Sequence, residues 1–91
     1  MPRILMTGAS GGIGTRLRDL LPLIYPDLVL SDLETPPNLT SSETFKQADL
    51  ADPAAVEAIC EGVDGILHFG GFSVEGPWET ILQANIIGCY N

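Results

Sequence analysis

The chain has 91 residues, enough for one small domain, and carries 4 Lys and Arg against 12 Asp and Glu, a formal net charge of −8. This excess of negative charge repels the phosphate backbones of nucleic acids and the anionic surfaces of membranes. No apolar stretch reaches the roughly 20 residues that a membrane span needs, and glycines interrupt the first apolar run too early for a signal peptide. Composition therefore argues against nucleic-acid and membrane partners and predicts a cytoplasmic protein.

The first predicted elements are a strand, a glycine-rich turn and a helix. Residues 3–6 form a short, continuous apolar run, which is typical of a strand covered on both faces in a parallel sheet. From Ile13 onwards the apolar residues recur at helical spacing, and Pro22 should end that helix. The turn before the helix, residues 7–14, has the sequence TGASGGIG.

Two further strands are predicted over residues 28–30 and over the more polar residues 44–48. A polar, proline-containing loop should join them. Asp52 and Pro53 then mark the start of a helix, with the aspartate as N-cap and the proline in the first helical position. Gly62 is a candidate C-cap for that helix.

A fourth strand is predicted over residues 65–69, followed by the glycine-rich loop 70–76 and a helix that opens at Pro77 and still runs at Asn91. Alternating strands and helices indicate an α/β protein whose parallel strands are joined by right-handed crossovers. We therefore predict a partial Rossmann fold, a parallel sheet of about four strands with flanking helices. On this interpretation residues 1–91 are the N-terminal part of a longer domain, truncated before its catalytic half.

The glycines of the turn are spaced G-x-x-G-x-x-G. Gly8 permits a tight exit from the strand, Gly11 lets the backbone approach a pyrophosphate, and Gly14 lets the helix pack closely on the sheet. Phosphates would meet the free N–H groups and the positive end of the helix dipole. Because the turn follows a strand, opens a helix and precedes an acidic residue at the next strand end, we predict dinucleotide binding. The alternative is a purely structural glycine turn.

Asp32 follows Gly8 at about the separation of 20 residues at which a carboxylate accepts hydrogen bonds from the adenosine ribose hydroxyls. Its alternative role is that of an ordinary solvated loop aspartate. Leu33 and Glu34 come next, with no nearby arginine to pair with a 2′-phosphate. We therefore predict NAD, and not NADP, as the cofactor.

Three further segments are candidates for contacts with the ligands. Asp49 ends the third strand at the same sheet edge and could accept the adenine amino group, with Leu50 against the ring. A second helix-capping residue is an equally good interpretation of Asp49. Gly70 and Gly71 let the backbone pass close to the cofactor, and Ser73, taken alone, fits a turn hydroxyl better than a ligand contact.

Other polar and aromatic residues are assigned structural roles. His68, within the apolar fourth strand, is interpreted as a hydrogen-bonded core histidine and not as a base or metal ligand. On the last helix, Trp78 should pack in the core, and the buried amide of Asn85 should tie the helix to strand backbone. Cys60 and Cys89 lie outside any metal-ligand spacing and are predicted to be buried thiols of a reducing compartment.

Taken together, TGASGGIG, the SDL around Asp32, the ADL at Asp49, HFGG and the ending ANIIGCYN resemble the extended short-chain dehydrogenase/reductase family, of the NAD-dependent epimerase/dehydratase type. The resemblance covers all 91 residues but only the front part of such an enzyme. It implies an oxidoreductase in which NAD takes a hydride from the anomeric carbon of a hexuronate, galacturonate or glucuronate, to give an aldarolactone.

Carried over position by position, the resemblance also implies residue roles. Asp32 and Leu33 would contact the adenosine ribose. Ser73 would lie near the uronate, which changes its interpretation from a turn hydroxyl to a substrate contact. The remaining implied contacts are Gly8, Gly11, Gly12, Ile13 and Gly14 at the pyrophosphate, Asp49 and Leu50 at the adenine, and Gly70 and Gly71 beside the cofactor.

The chemistry of the family needs a Tyr-x-x-x-Lys pair, in which the lysine lowers the tyrosine pKa to make a general base. The only lysine, Lys46, has Ser42 four positions before it, and neither Tyr25 nor Tyr90 is followed by a lysine at that spacing. We therefore predict that the isolated chain is inactive and is the cofactor-binding part of an NAD-dependent dehydrogenase.

Two alternatives remain open. A nucleotide-sugar epimerase or dehydratase would carry the same front part. A non-catalytic half-Rossmann module could instead bind a nucleotide as a sensor or assemble with itself. Because the fourth strand would be an uncovered sheet edge, we expect a homo-oligomer.

Overall fold

The computed structural model describes residues 2–91 and contains a four-stranded parallel sheet of order β3-β2-β1-β4. The predicted sheet of about four parallel strands with flanking helices is therefore confirmed. The strands are β1 (Ile4–Thr7), β2 (Leu28–Asp32), β3 (Thr44–Gln47) and β4 (Gly65–His68). The helices are α1 (Gly12–Leu20), followed by a 3-10 turn (Leu21–Leu23), then α2 (Pro53–Ile59) and α3 (Trp78–Ile81), which continues through a π-helical segment (Leu82–Ile87) into α4 (Gly88–Tyr90).

Strand β1 lies inside the sheet and fixes the register of both its neighbours. Ile4 is paired with Leu28 of β2 on one side and with Gly65 of β4 on the other. Hydrogen bonding extends β2 to Asp32, two residues beyond its apolar run, because the Asp32 carbonyl still accepts the N–H of Ala48 at 3.1 Å. The carboxyl ends of all four strands consequently meet at one edge of the sheet.

Two separate apolar clusters cover the two faces of the sheet. Successive residues of a strand point to opposite faces, so Leu5 and Met6 of β1 enter different clusters. Leu5 packs with Ile59 of α2, and Met6 packs with Leu17 of α1. This two-sided cover is what an all-parallel sheet requires and is what the continuous apolar run of β1 predicts.

The start of α2 is as predicted. The carboxylate of Asp52 accepts the N–H groups of Ala54 at 3.1 Å and Ala55 at 3.4 Å, and Pro53 occupies the first turn. Gly62 has a φ of 72°, a conformation that favours glycine, and follows the C-cap Cys60 by two positions. Gly62 therefore turns the chain after α2, two positions beyond the C-cap itself.

The predicted burial along the last helix is wrong. Trp78 is 65% exposed, and Asn85 and Cys89 are exposed as well. The helix approaches the rest of the chain through Gly88, where an added Cβ would lie 2.9 Å from the Cβ of Leu50. Contact through a glycine brings the helix backbone close at that point and leaves the tryptophan outside the core.

Two other burial predictions also need correction. Cys60 is half-buried and Cys89 exposed, both as free thiols, so neither is a core residue. His68 lies on the edge strand β4 and is exposed, because no further strand covers it within residues 2–91. It is nevertheless hydrogen-bonded, since its Nδ1 and the Thr7 Oγ1 are 2.7 Å apart.

Each helix within residues 2–91 falls short of the length and hydrophobicity that a membrane-spanning helix requires.

A buried ion pair that the sequence analysis did not single out fixes the loop between β2 and β3. Arg18 of α1 is only 8% exposed and donates to both carboxylate oxygens of Glu43, at 2.8 and 2.7 Å. The same guanidinium donates to the carbonyl oxygens of Pro37 and Asn38, the latter at 3.1 Å. The loop is thereby held against α1 by four hydrogen bonds to one side chain.

Because of this ion pair, the free energy of unfolding decreases at acid pH. Hydrogen bonds from Arg18 lower the pKa of Glu43 from 4.5 to about 2. The carboxylate therefore contributes stability that is fully present above pH 4.5 and is lost as the pH falls towards 2. In urea unfolding, the free-energy difference between wild type and Glu43→Gln should be constant above about pH 5 and shrink towards about pH 3. A difference that stays unchanged at the lower pH would contradict this assignment.

Candidate nucleotide-binding site

The carboxyl ends of the strands open onto two adjoining cavities, one of about 320 Å³ and one of about 70 Å³. Parallel α/β sheets bind ligands in this position, outside the carboxyl ends of the strands. Every residue that the sequence singled out for ligand contacts lines at least one cavity: Gly8, Gly11, Gly12, Ile13, Gly14, Asp32, Leu33, Asp49, Leu50, Gly70, Gly71 and Ser73. The structure thus brings the whole predicted set together at one sheet edge.

Two glycines of the turn are required by the fold itself. Gly8 has a φ of 74°, and an added Cβ there would lie 2.6 Å from the carbonyl oxygen of Phe69 and 2.7 Å from the nitrogen of Gly70. A Cβ on Gly14 would overlap the carbonyl oxygen of Gly8 and lie 2.8 Å from the Cα of Ala9. The neighbours in both cases are backbone atoms, which cannot turn aside as a side chain can.

The other two glycines of the turn are not required by packing. A Cβ on Gly11 would come no closer than 3.4 Å to another residue, and one on Gly12 would meet nothing within 4 Å. Gly11 is the N-cap of α1, and no side chain caps this helix end. The open space and the helix N–H groups together fit an anionic group that approaches the backbone closely.

Asp32 is held in place with acceptor capacity to spare. Its Oδ2 accepts the N–H of Ser10 at 2.9 Å and its Oδ1 accepts the N–H of Leu33 at 2.6 Å. An ionised carboxylate has about four lone-pair positions, so each oxygen retains one for a ligand hydroxyl. Two free acceptors on one carboxylate suit a vicinal diol such as a ribose.

Ser10 was missed by the sequence analysis and ties the glycine turn to the β2–β3 loop. Besides its backbone bond to Asp32, its hydroxyl donates to the carbonyl oxygen of Glu34 at 2.6 Å. The spacing of the glycines carries no signal for this contact. Only its place inside the turn, opposite the end of β2, could have pointed to it.

Positive charge is lacking around the cavities. Arg3 pairs with Asp27 and Arg18 with Glu43. Within residues 2–91 no arginine or lysine side chain lines either cavity. A phosphate added beside Asp32 would therefore meet a carboxylate and no counter-charge.

Asp49 makes a turn contact and also lies at the smaller cavity. Its Oδ1 accepts the N–H of Ala51 at 2.9 Å, a turn contact just before α2. The residue is also exposed at the smaller cavity, next to Leu50. Leu50 also packs close to Gly70, since an added Cβ at that glycine would lie 2.5 Å from the Cδ1 of the leucine.

The loop after β4 is fastened to its surroundings by side chains. The Gly70 N–H donates to the Oγ1 of Thr7 at 3.1 Å, and Asn85 is hydrogen-bonded to the backbone of Phe72. Asn85 was predicted to tie its helix to strand backbone from a buried position. It makes such a tie, but to the loop and from an exposed position at the larger cavity.

No group of three or more histidine, cysteine or acidic side chains is placed to hold a metal ion in the described part of the chain. The parallel sheet order β3-β2-β1-β4, with a glycine turn opening α1 at its carboxyl edge, defines the Rossmann class of α/β folds. The chain belongs to the NAD dependent epimerase/dehydratase family, whose family model matches residues 4–90. The family resemblance seen in the sequence motifs is thereby confirmed.

Several relatives of the chain are uronate dehydrogenases. It is 50% identical over 90 residues to a uronate dehydrogenase of Pseudomonas syringae pv. tomato, covering 98% of this chain and 33% of that protein. It matches a mutant uronate dehydrogenase of Agrobacterium tumefaciens complexed with NAD, with a TM-score of 0.90 and 48% identity, covering 99% of this chain and 34% of that one. A glucuronic acid dehydrogenase of Chromohalobacter salexigens matches with a TM-score of 0.89 and 45% identity, at 98% and 34% coverage. The chain thus spans about a third of the length of these relatives.

Proposed function

We propose that the chain is the NAD-binding N-terminal part of a Rossmann domain from a dehydrogenase that oxidises a hexuronate. The observation that carries this proposal is the pairing of an uncapped helix start at Gly11 and Gly12 with the two free acceptors of Asp32. The space at the two glycines suits a pyrophosphate, and the carboxylate suits the ribose diol next to it.

The proposed contacts follow the shape of the two cavities. Asp32, which lines both cavities, and Leu33, which lines the smaller one, bind the adenosine ribose. Ser73 lies only at the larger cavity and contacts the substrate. The other proposed contacts are Gly8, Gly11, Gly12, Ile13 and Gly14 with the pyrophosphate, Asp49 and Leu50 with the adenine, and Gly70 and Gly71 with the adjoining part of the cofactor.

The same geometry favours NAD over NADP. A 2′-phosphate would replace a hydroxyl that donates to Asp32 and would bring two negative charges together. Since no basic side chain within residues 2–91 lines the cavities, nothing in this part of the protein offsets that repulsion.

The proposed reaction is oxidation of galacturonate or glucuronate at the anomeric carbon to an aldarolactone, with NAD supplying the hydride acceptor. Support for the substrate class comes from the uronate and glucuronic acid dehydrogenases that the chain resembles over a third of their length. The residues of this chain bind and orient the cofactor. With Lys46 in β3 and no tyrosine four positions before it, they lack the family's proton-transfer pair, so we propose that the isolated chain is inactive.

Calorimetric titration of the chain with NAD and with NADP tests the proposal. We expect binding of NAD with an affinity at least about tenfold higher than that of NADP, and no NADH formation from either uronate. Equal affinity for the two cofactors would contradict the assigned role of Asp32. Uronate-dependent reduction of NAD by the isolated chain would contradict its proposed inactivity.

A second candidate, self-association of a non-catalytic module in the cytoplasm, is favoured by one observation. Strand β4 lies at the sheet edge, and its Ile66 is 53% exposed. Light scattering on the titration samples separates the two candidates. A chain that forms oligomers and binds neither cofactor would favour this module. Cofactor binding favours the NAD-binding part of an enzyme, either a dehydrogenase or a nucleotide-sugar epimerase.

A further inference from the structure

The side chain of Ser31 is buried near the end of β2 and has no hydrogen-bond partner. The residue is 1% exposed, and within residues 2–91 its Oγ is the one buried side-chain nitrogen or oxygen that is left unpaired. Buried polar groups are nearly always hydrogen-bonded, because an unpaired one gives up its bonds to water without replacement. This hydroxyl therefore lowers the stability of the ligand-free chain.

Ser31 lies where an apolar cluster meets the smaller cavity. Val29, two positions earlier on the same face of β2, packs with Leu5 and Ala48 on the α2 side of the sheet. Ser31 continues this face and, like Ala48, lines the smaller cavity. An alanine in its place would extend the apolar cluster without an unpaired group, so packing does not account for the hydroxyl.

The hydroxyl next to it, that of Thr7, already has its partners. Thr7 is paired with Ser31 across β1 and β2 and also lines the smaller cavity. Its Oγ1 accepts the Gly70 N–H at 3.1 Å and lies 2.7 Å from the Nδ1 of His68. Thr7 is thus held by the loop and the strand beside it, and the hydroxyl of Ser31 stays unpaired.

The side chains around the smaller cavity offer several acceptors and one free donor. Asp32 and Asp49 are carboxylates, which when ionised accept hydrogen bonds and donate none. Within residues 2–91 only Thr7 and Ser31 bring side-chain donors to this cavity, and Thr7 is engaged. Adenine presents an amino group that donates and ring nitrogens that accept. The free donor matches a ring nitrogen, and the carboxylates match the amino group.

We propose that Ser31 is a further adenine-binding residue, whose hydroxyl donates to a ring nitrogen of the base while Asp49 accepts the amino group. This rests on the proposed function, which places the adenine in the smaller cavity. The Oγ is shielded in the ligand-free structure, so it turns about the Cα–Cβ bond, between staggered rotamers, to face the ligand. The bond formed on binding then offsets the loss of stability that the unpaired hydroxyl causes in the free chain.

Ser31→Ala should change stability and affinity in opposite directions. Without the unpaired hydroxyl, the equilibrium constant for unfolding of the ligand-free chain in urea should fall at least about fivefold. The affinities for NAD and for ADP, which shares its adenosine and pyrophosphate, should each fall about threefold to tenfold in calorimetric titrations. A hydroxyl with a purely structural role would lower the stability when removed.

Ser41→Ala is the matched control. It makes the same chemical change at an exposed position of the loop between β2 and β3, away from both cavities. Its unfolding constant and both affinities should equal those of wild type.

Deaza analogues of ADP test the same bond from the ligand side. In each of them one ring nitrogen of the adenine is replaced by a C–H group, which accepts no conventional hydrogen bond. We expect the analogue that lacks the bonded nitrogen to bind wild type and Ser31→Ala equally. The other analogues should bind the variant more weakly than wild type, as ADP does.

The outcomes separate this inference from the function on which it rests. Wild type that binds neither NAD nor ADP overturns both. Wild type that binds NAD, with a Ser31→Ala variant that is less stable or has unchanged affinity, overturns only the inference. A variant that loses as much affinity for every deaza analogue as for ADP also overturns it, because the hydroxyl then does not bond a ring nitrogen.

Discussion

Alanine at Gly14 is expected to destabilise the chain by at least about 3 kcal/mol, while alanine at Gly12 is expected to leave its stability unchanged or slightly raised. The first substitution drives a methyl group into the backbone of Gly8 and Ala9, and the second puts one into open space. Gly12→Ala should nevertheless weaken NAD binding by at least about tenfold, because that space is where the pyrophosphate is proposed to lie.

Urea unfolding followed by circular dichroism gives the stabilities, and calorimetry with NAD gives the affinities. The two variants change the same residue type two positions apart, so each serves as the control of the other. A Gly12→Ala variant that binds NAD as tightly as wild type would show that the open space at α1 is not a phosphate site.

Replacing Asp32 by asparagine is expected to lower the affinity for NAD by about thirtyfold, because hydrogen bonds to an ionised acceptor are roughly twice as strong as neutral ones. The affinity for NADP should fall less or rise, since the repulsion of the 2′-phosphate disappears. The ratio of the affinity for NAD to the affinity for NADP is therefore expected to decrease. Titrations with both cofactors check this.

Glu57→Gln is the matched control for that experiment. It removes one negative charge from an exposed position on α2, away from both cavities. Its affinities should equal those of wild type at moderate salt, because screened distant charges contribute little. An Asp32→Asn variant with an unchanged ratio of the two affinities would mean that the carboxylate does not face the ribose.

The sequence predicts a secondary-structure element well where the local residue pattern is compatible with only one kind of element. The switch from a continuous apolar run to helical spacing at Ile13 locates β1 and α1, and Asp52 with Pro53 locates α2. The glycines and Asp32 could be placed at one edge because parallel strands end together. Their contacts with a ligand stay predictions.

Burial was predicted less well, because an apolar pattern does not reveal which face has a neighbour. Trp78 and Cys89 were assigned to the core on the assumption of a regular helix, but a π-helical segment lies between them and changes the phase. The contacts that Arg18 and Ser10 make to loop backbone were also beyond prediction, as was the choice of the loop after β4 as the partner of Asn85. They depend on where a helix or turn approaches a loop that is distant in sequence, which no spacing along the chain encodes.

The position of β1 has a consequence for how the molecule is made. This strand precedes the other strands of the sheet in the sequence, yet its pairing with β4 joins residues 61 positions apart, and the larger cavity is lined by both Gly8 and Asn85. Closing that long loop costs conformational entropy before the pairing of β1 with β4 contributes any stabilisation. The glycine turn therefore lacks part of its cavity wall until the helix that carries Asn85 has also been synthesised, so the ligand cavity is completed later than the pairing of β1 with β2 and of β2 with β3.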